Sequence, residues 1–123
     1  VYYEDTDVGG VVYYSNYLKF LERARTEMIN SIGLSNNKLF TEWKTLIIVK
    51  SCNIDYLSPA KLEDRLQIFS SIESFNKASF VMNQNIKKDD NLIVKAKLKL
   101  VTVNQKGKPI KIPSVLKNKL KIN

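Results

Sequence analysis

Between Tyr17 and Ile32 the apolar residues fall at Tyr17, Phe20, Leu21, Ala24, Met28 and Ile32, with Leu18 and Ile29 widening the stripe. That is the spacing of one face of an α-helix. After Trp43 the period drops to two and stays there almost to Leu100. Cys52, Ile54 and Tyr56 alternate with Ser51, Asn53 and Asp55; then come Leu66, Ile68 and Ile72, then Ala78, Phe80 and Met82, then Val94, Ala96, Leu98 and Leu100. One long helix and several two-faced strands have few ways to bury their apolar sides together. There is no βαβ alternation, which excludes a doubly wound sheet. The simplest packing is an α+β fold in which the helix lies across the concave face of one curved antiparallel sheet.

The punctuation fits this order. Val1–Glu4 reads as a first strand, broken by Gly9-Gly10. Ser15 or Asn16 is placed to cap the long helix, and Gly33 stands where a left-handed terminating residue is expected. Ser35–Trp43 reads as a short second helix with Ser35 as its cap. Asn76-Lys77 and Asp89-Asp90-Asn91 read as hairpin turns, which predicts four strands in a meander. Lys95, Lys97 and Lys99 point away from the apolar residues of the last strand, so that sheet face is wet. Gly107 and Pro109 end it, and Ser114–Leu120 reads as a terminal helix. The 123 residues suit one domain spanning 1–123. The chain opens inside a strand, so a native N-terminus upstream of Val1 is expected. Edge strands this long need partners, which predicts a homodimer or homotetramer.

Composition narrows the chemistry. The chain has no histidine and one cysteine, Cys52. Ser-His-Asp and Cys-His catalysis are excluded, as are imidazole and multi-cysteine metal sites. Carboxylates, hydroxyls, lysines and backbone N–H groups remain, and no cofactor is expected. A lone cysteine reads as a small apolar strand residue and fits a reducing, cytoplasmic compartment. No apolar run is long enough to span a bilayer. The formal charge is +8, but Lys106, Lys108, Lys111, Lys117, Lys119 and Lys121 supply six of those charges. The remainder, 8 − 6 = +2, belongs to residues 1–105. Charge gathered in a tail, without interleaved aromatics, argues against nucleic acid. The tail reads as a solvated end that also packs Ile110, Ile112 and Leu116, or as a site for a nucleotide phosphate, an acidic carrier protein or a peripheral anionic lipid surface.

The chemistry-bearing stretch is Asp5-Thr6-Asp7 ahead of Gly9-Gly10, directly before the long helix. On pattern alone it reads first as a turn with an Asx hydrogen bond. It also sets a carboxylate, suited to nucleophilic or general-base work, opposite the unsatisfied N–H groups of a helix start. Glu22 and Arg25 read as an ion pair or as rim charges at helical spacing. Tyr13, Tyr14 and Tyr17 read as core or pocket wall. Lys50 reads as solvated, with reach toward an anionic ligand as its functional alternative.

The stretch "YYEDTDVGGVVYYSNYLKFLERARTE" (residues 2–27) resembles the active-site segment of hotdog-fold acyl-CoA thioesterases, in the YbgC-like branch of the 4-hydroxybenzoyl-CoA thioesterase family. "DYLSPAKLEDRLQI" (residues 55–68) resembles that family's Tyr-x-x-Pro-Ala segment, and "KGKPIKIPSVL" (residues 106–116) is a third, weaker match. The resemblance implies a curved antiparallel sheet wrapped around a central helix, dimers formed by pairing sheet edges, and active sites at the dimer interface. It implies Asp7 as nucleophile or general base, Gly10 as the motif glycine, and the backbone N–H at Tyr14 as oxyanion donor. Tyr14 stands where many members of this branch carry histidine. Asn16 and Tyr17 match the family's Asn-Tyr, and with Gly10, Tyr13 and Lys50 they make the expected substrate-binding set. Glu22 is the alternative carboxylate, because related hotdog enzymes use a glutamate on the central helix. The implied reaction is hydrolysis of acyl-CoA to free acid and CoA. The alternatives are hydrolysis of acyl groups on acyl carrier protein, and a non-catalytic protein that binds acyl chains or a partner.

Overall fold

A computed structural model describes residues 14–61 and 63–122. The predicted strand Val1–Glu4 and the glycine turn lie outside them. The elements are α1 (Tyr14–Ser31), α2 (Asn36–Trp43), β1 (Leu46–Tyr56), β2 (Gln67–Phe75), β3 (Ser79–Lys88), β4 (Asn91–Val103) and α3 (Ser114–Ile122).

The four strands form one antiparallel sheet in the order β1-β4-β3-β2. The hairpins β2–β3 and β3–β4 sit where the turn residues placed them. The full meander is corrected: β1 pairs with β4, from Leu46↔Val103 to Tyr56↔Val94, and not with β2. Residues 57–66 therefore cross from one sheet edge to the other. The reason is burial. β4 carries Val94, Ala96, Leu98 and Leu100, all buried, and an interior strand covered by neighbours on both sides suits that row.

α1 packs on the apolar face in two clusters. Tyr17, Phe20 and Leu21 meet Ile86, Val94, Ala96 and Leu98 under its first half. Ile29 meets Phe80, Met82, Leu100, Leu116 and Leu120 under its second half. This is the α+β hotdog arrangement. Leu18 departs from the predicted stripe and is 45% exposed. α1 ends at Gly33 (φ 81°), with the Leu34 N–H reaching back to the Ile29 carbonyl at 3.2 Å. The Lys119 ammonium donates to the Ile32 carbonyl at 2.9 Å, a cation at the negative end of the helix dipole. The Ser35 Oγ caps α2 by accepting from the Lys38 N–H at 2.9 Å.

The lysine-rich end is not simply solvated. The Ile112 N–H bonds the Lys77 carbonyl, and Ile112, Leu116 and Leu120 are buried. Lys117 and Lys121 lie over the Phe75 ring at 5.7 and 5.9 Å. Lys106, Lys108 and Lys111 remain exposed. Among the described residues no helix is long and apolar enough to cross a membrane.

Candidate active site

Of the predicted site residues, Asp7, Gly10 and Tyr13 lie outside the described residues. α1 begins at Tyr14, the position expected to offer its backbone N–H. The first four N–H groups of a helix have no intrahelical acceptor, and the dipole makes that end partly positive. Asn16 and Tyr17 follow in the first turn, both buried. The Tyr17 ring packs edge-on against Phe20 (6.1 Å, 84°) and tilted against Tyr56 (5.7 Å, 45°). Its hydroxyl accepts from the Ala60 N–H at 3.0 Å. This bond joins the two strongest sequence motifs, residues 2–27 and 55–68, which lie far apart in the chain.

The crossing loop is itself tightly held. The Lys61 N–H donates to Asp64 Oδ2 at 2.7 Å, and the Asp64 N–H donates to the Lys61 carbonyl at 3.1 Å. The Lys88 ammonium pairs with Asp64 Oδ1 at 2.9 Å. Glu63 turns the chain with φ 69°. Burial pushes the Asp64 carboxyl up, but the Lys61 N–H and the Lys88 ammonium outweigh it and hold the group below the usual carboxylate value. Ala60 of this loop thus abuts the first turn of α1. Lys50 is not part of this cluster. It is exposed at the bulge of β1 between Val49 and Ser51, six residues or about 20 Å along the strand from Tyr56.

A concavity lies between α1 and β1, with a volume of about 400 Å³. Ile29, Ile47, Phe80, Met82 and Leu100 give it apolar walls, and Glu22, Arg25 and Thr26 line its α1 side. Of the two readings of Glu22 and Arg25, ion pair or rim charges, the ion pair is not formed. The ion pairs among the described residues are Lys88–Asp64 and Lys97–Glu73, and Arg25 instead donates to Gln84 Oε1 at 3.0 Å. Burial lowers the Arg25 pKa, with Glu22 and Cys52 acting against it. Cys52 is half-buried, and burial raises its thiol pKa against the opposing charge of Arg25. Gln84 was missed from the sequence. The signal was available: alternation through Phe80 and Met82 carries Gln84 to the inward face. Among the described residues no group of three or more Asp, Glu, Cys or His side chains could hold a metal ion.

The whole of this geometry has relatives. Residues 1–120 match the thioesterase-like superfamily. The acyl-CoA thioester hydrolase YbgC of Escherichia coli is 41% identical over 92% of this chain and 85% of its own length. The acyl-CoA thioesterase YbgC of Haemophilus influenzae is 37% identical over 95% of this chain and 87% of its own. The crystal structure of a probable thioesterase from Bartonella henselae superposes with a TM-score of 0.88 at 34% identity, covering 92% of this chain and 94% of that one. A sheet of this order, a central helix on its apolar face and relatives matched along nearly the full length agree, and the chain belongs to the thioesterase-like superfamily, on its YbgC-like branch.

Proposed function

We propose that this protein hydrolyses acyl-CoA thioesters to a free acid and CoA. The observation that carries the reading is the match to relatives named acyl-CoA thioesterases over more than nine-tenths of the chain. The chemistry follows from the parts. A thioester needs a nucleophile or base and a donor for the oxyanion that forms on its carbonyl. Asp7 supplies the first, either by bonding the carbonyl carbon directly or by taking a proton from an attacking water. In the direct route the tetrahedral oxyanion collapses, expels the CoA thiolate and leaves a mixed anhydride that water cleaves. In the other, hydroxide adds and the thiolate leaves. The backbone N–H at Tyr14 supplies the second part. A donor of this kind is typically worth roughly 2.7–4 kcal/mol in the transition state. Glycines before the helix keep side chains out of the approach.

The active form is a homo-oligomer in this reading. β1 is an edge of the described sheet, and Leu46, Ile48 and Val49 on it are exposed, with Ile48 at 46%. Apolar edges of this kind call for a second copy.

The test is free-thiol release across short, long and aromatic acyl-CoAs, with the same acyl groups on carrier protein in parallel. Release from CoA substrates is expected. A folded oligomer that binds acyl-CoA and releases no thiol from any of them is a non-catalytic binder, and the proposal fails.

A further inference from the structure

A fully buried glutamine interrupts the inward row of β3. Phe80, Met82 and Ile86 of that row are core, and Gln84, among them, is 0% exposed. It stands between the two apolar clusters beneath α1. A buried amide is costly unless its hydrogen bonds are made, and this one makes three. Its Nε2 donates to the Leu21 carbonyl of α1 at 3.1 Å and to the Ser70 Oγ of β2 at 3.0 Å. Its Oε1 accepts from Arg25 Nη1 at 3.0 Å. The first two bonds fix Gln84 to helix and sheet, so the third fixes Arg25. A guanidinium has five N–H donors. The four that Gln84 does not take have no hydrogen-bond partner among the described residues.

Arg25 lines the cavity between α1 and β1. Leu18, Glu22, Arg25 and Ile29 are spaced by four, three and four residues, so they share one face of α1. That face starts at exposed Leu18, one turn after the helix start, and enters the cavity. Arg25 lies eleven residues, or about 16 Å, along the axis from Tyr14. An extended chain advances about 1.2 Å per bond, so an acyl group of roughly a dozen carbons covers the distance.

We propose that the α1–β1 cavity is the acyl pocket and that Arg25, oriented by Gln84, selects medium-length acyl groups carrying an oxygen function at their far end. The inference rests on the acyl-CoA reading above. Ile29, Ile47, Phe80 and Met82 take the carbons, and the free donors of Arg25 take the oxygen. A plain alkyl end would cover those donors and leave them unpaired, the situation in which a polar site discriminates strongly. Arg25 is the substrate-contacting residue and Gln84 its positioning residue. A hydroxyl and a carboxylate share the required chemistry. Glu22, on the same wall, accepts from a hydroxyl and repels a carboxylate.

The experiment compares dodecanoyl-CoA, 12-hydroxydodecanoyl-CoA and the mono-CoA thioester of dodecanedioic acid. At least one oxygenated substrate is expected to exceed dodecanoyl-CoA tenfold in kcat/KM, and the two oxygenated arms tell hydroxyl from carboxylate. Arg25→Met should bring that ratio to about one. Arg25→Lys, which keeps a donor there, should restore part of it. Gln84→Met should lower the ratio through the KM of the oxygenated substrate while its kcat holds. Calorimetric binding of the matching thioether analogues should give the same ranking without turnover, and it separates this inference from the thioesterase reading. Equal kcat/KM and equal binding of all three chains overturn it, as does a wild-type ratio in a folded Arg25→Met variant. A wild-type ratio in folded Gln84→Met overturns the positioning role.

Discussion

Tyr17→Phe removes one oxygen atom and keeps the ring. The contacts with Phe20 and Tyr56 survive, so the apolar burial of a side chain only 1% exposed is almost unchanged. What is lost is the acceptor for the Ala60 N–H, 3.0 Å away, at a residue that is 0% exposed. Water cannot replace it without opening the loop. A neutral hydrogen bond contributes about 1 kcal/mol net, but an orphaned buried donor raises the cost to about 1–3 kcal/mol. Each kcal/mol moves the Tm of a chain this size by about 3–6 °C, so a fall of roughly 5–10 °C is expected. Differential scanning calorimetry of both proteins at pH 7 measures it. The enzyme should also show a raised KM for acyl-CoA, because the loop beside the start of α1 loses its tie. A Tm within about 1 °C of wild type would mean that the hydroxyl is not a structural acceptor and that the two motifs are held together by packing alone.

Other expectations follow from the same contacts. Leu116→Ala, at a fully buried position of α3, should cost about 2–5 kcal/mol in urea denaturation; a change below about 0.5 kcal/mol would restore the solvated-tail reading. Asp64→Asn tests the loop clamp by its pH dependence. The folded-state pKa of Asp64 is depressed, so its contribution is full above the unfolded value of about 3.9 and is lost as pH falls through the lower folded value. The stability gap between wild type and Asp64→Asn should hold from neutral pH to about 4 and close below it; a gap that grows on acidification contradicts the clamp. Light scattering at micromolar concentration should give a dimer or tetramer, and a charged residue in place of Ile48 should lower that mass.

Much of this arrangement was legible in the sequence because its signals are local. The helix stripe from Tyr17, the Ser35 cap, Gly33 and the two hairpin turns each depend on residues a few positions apart. The β1–β4 pairing was not legible. No local signal states which edge a strand joins, and the pair Leu46↔Val103 lies 103 − 46 = 57 residues apart. The exposure of Leu18 and the partner of Arg25 were not legible for a related reason. Helical spacing gives the face of a residue but not the width of what covers it, and the partner of Arg25 lies 59 residues away on β3. The packing of Ile112 and Leu116 in the lysine-rich end was legible from their apolar character, and both are buried, with Leu120 beside them. At the site, the Tyr17 hydroxyl reaches the Ala60 N–H across 43 residues of chain, a contact no local signal states.

The proposed hydrolysis depends most on Asp7 acting on a thioester held at the start of α1. Free-thiol release by wild type and Asp7→Asn, with an acyl-CoA that wild type turns over well, tests it most directly. The substitution keeps the shape of the side chain and removes the anion. A variant with the Tm and oligomeric mass of wild type and a kcat lower by about 10²–10⁴ is the predicted result. A well-folded Asp7→Asn protein that turns over at the wild-type rate would contradict it.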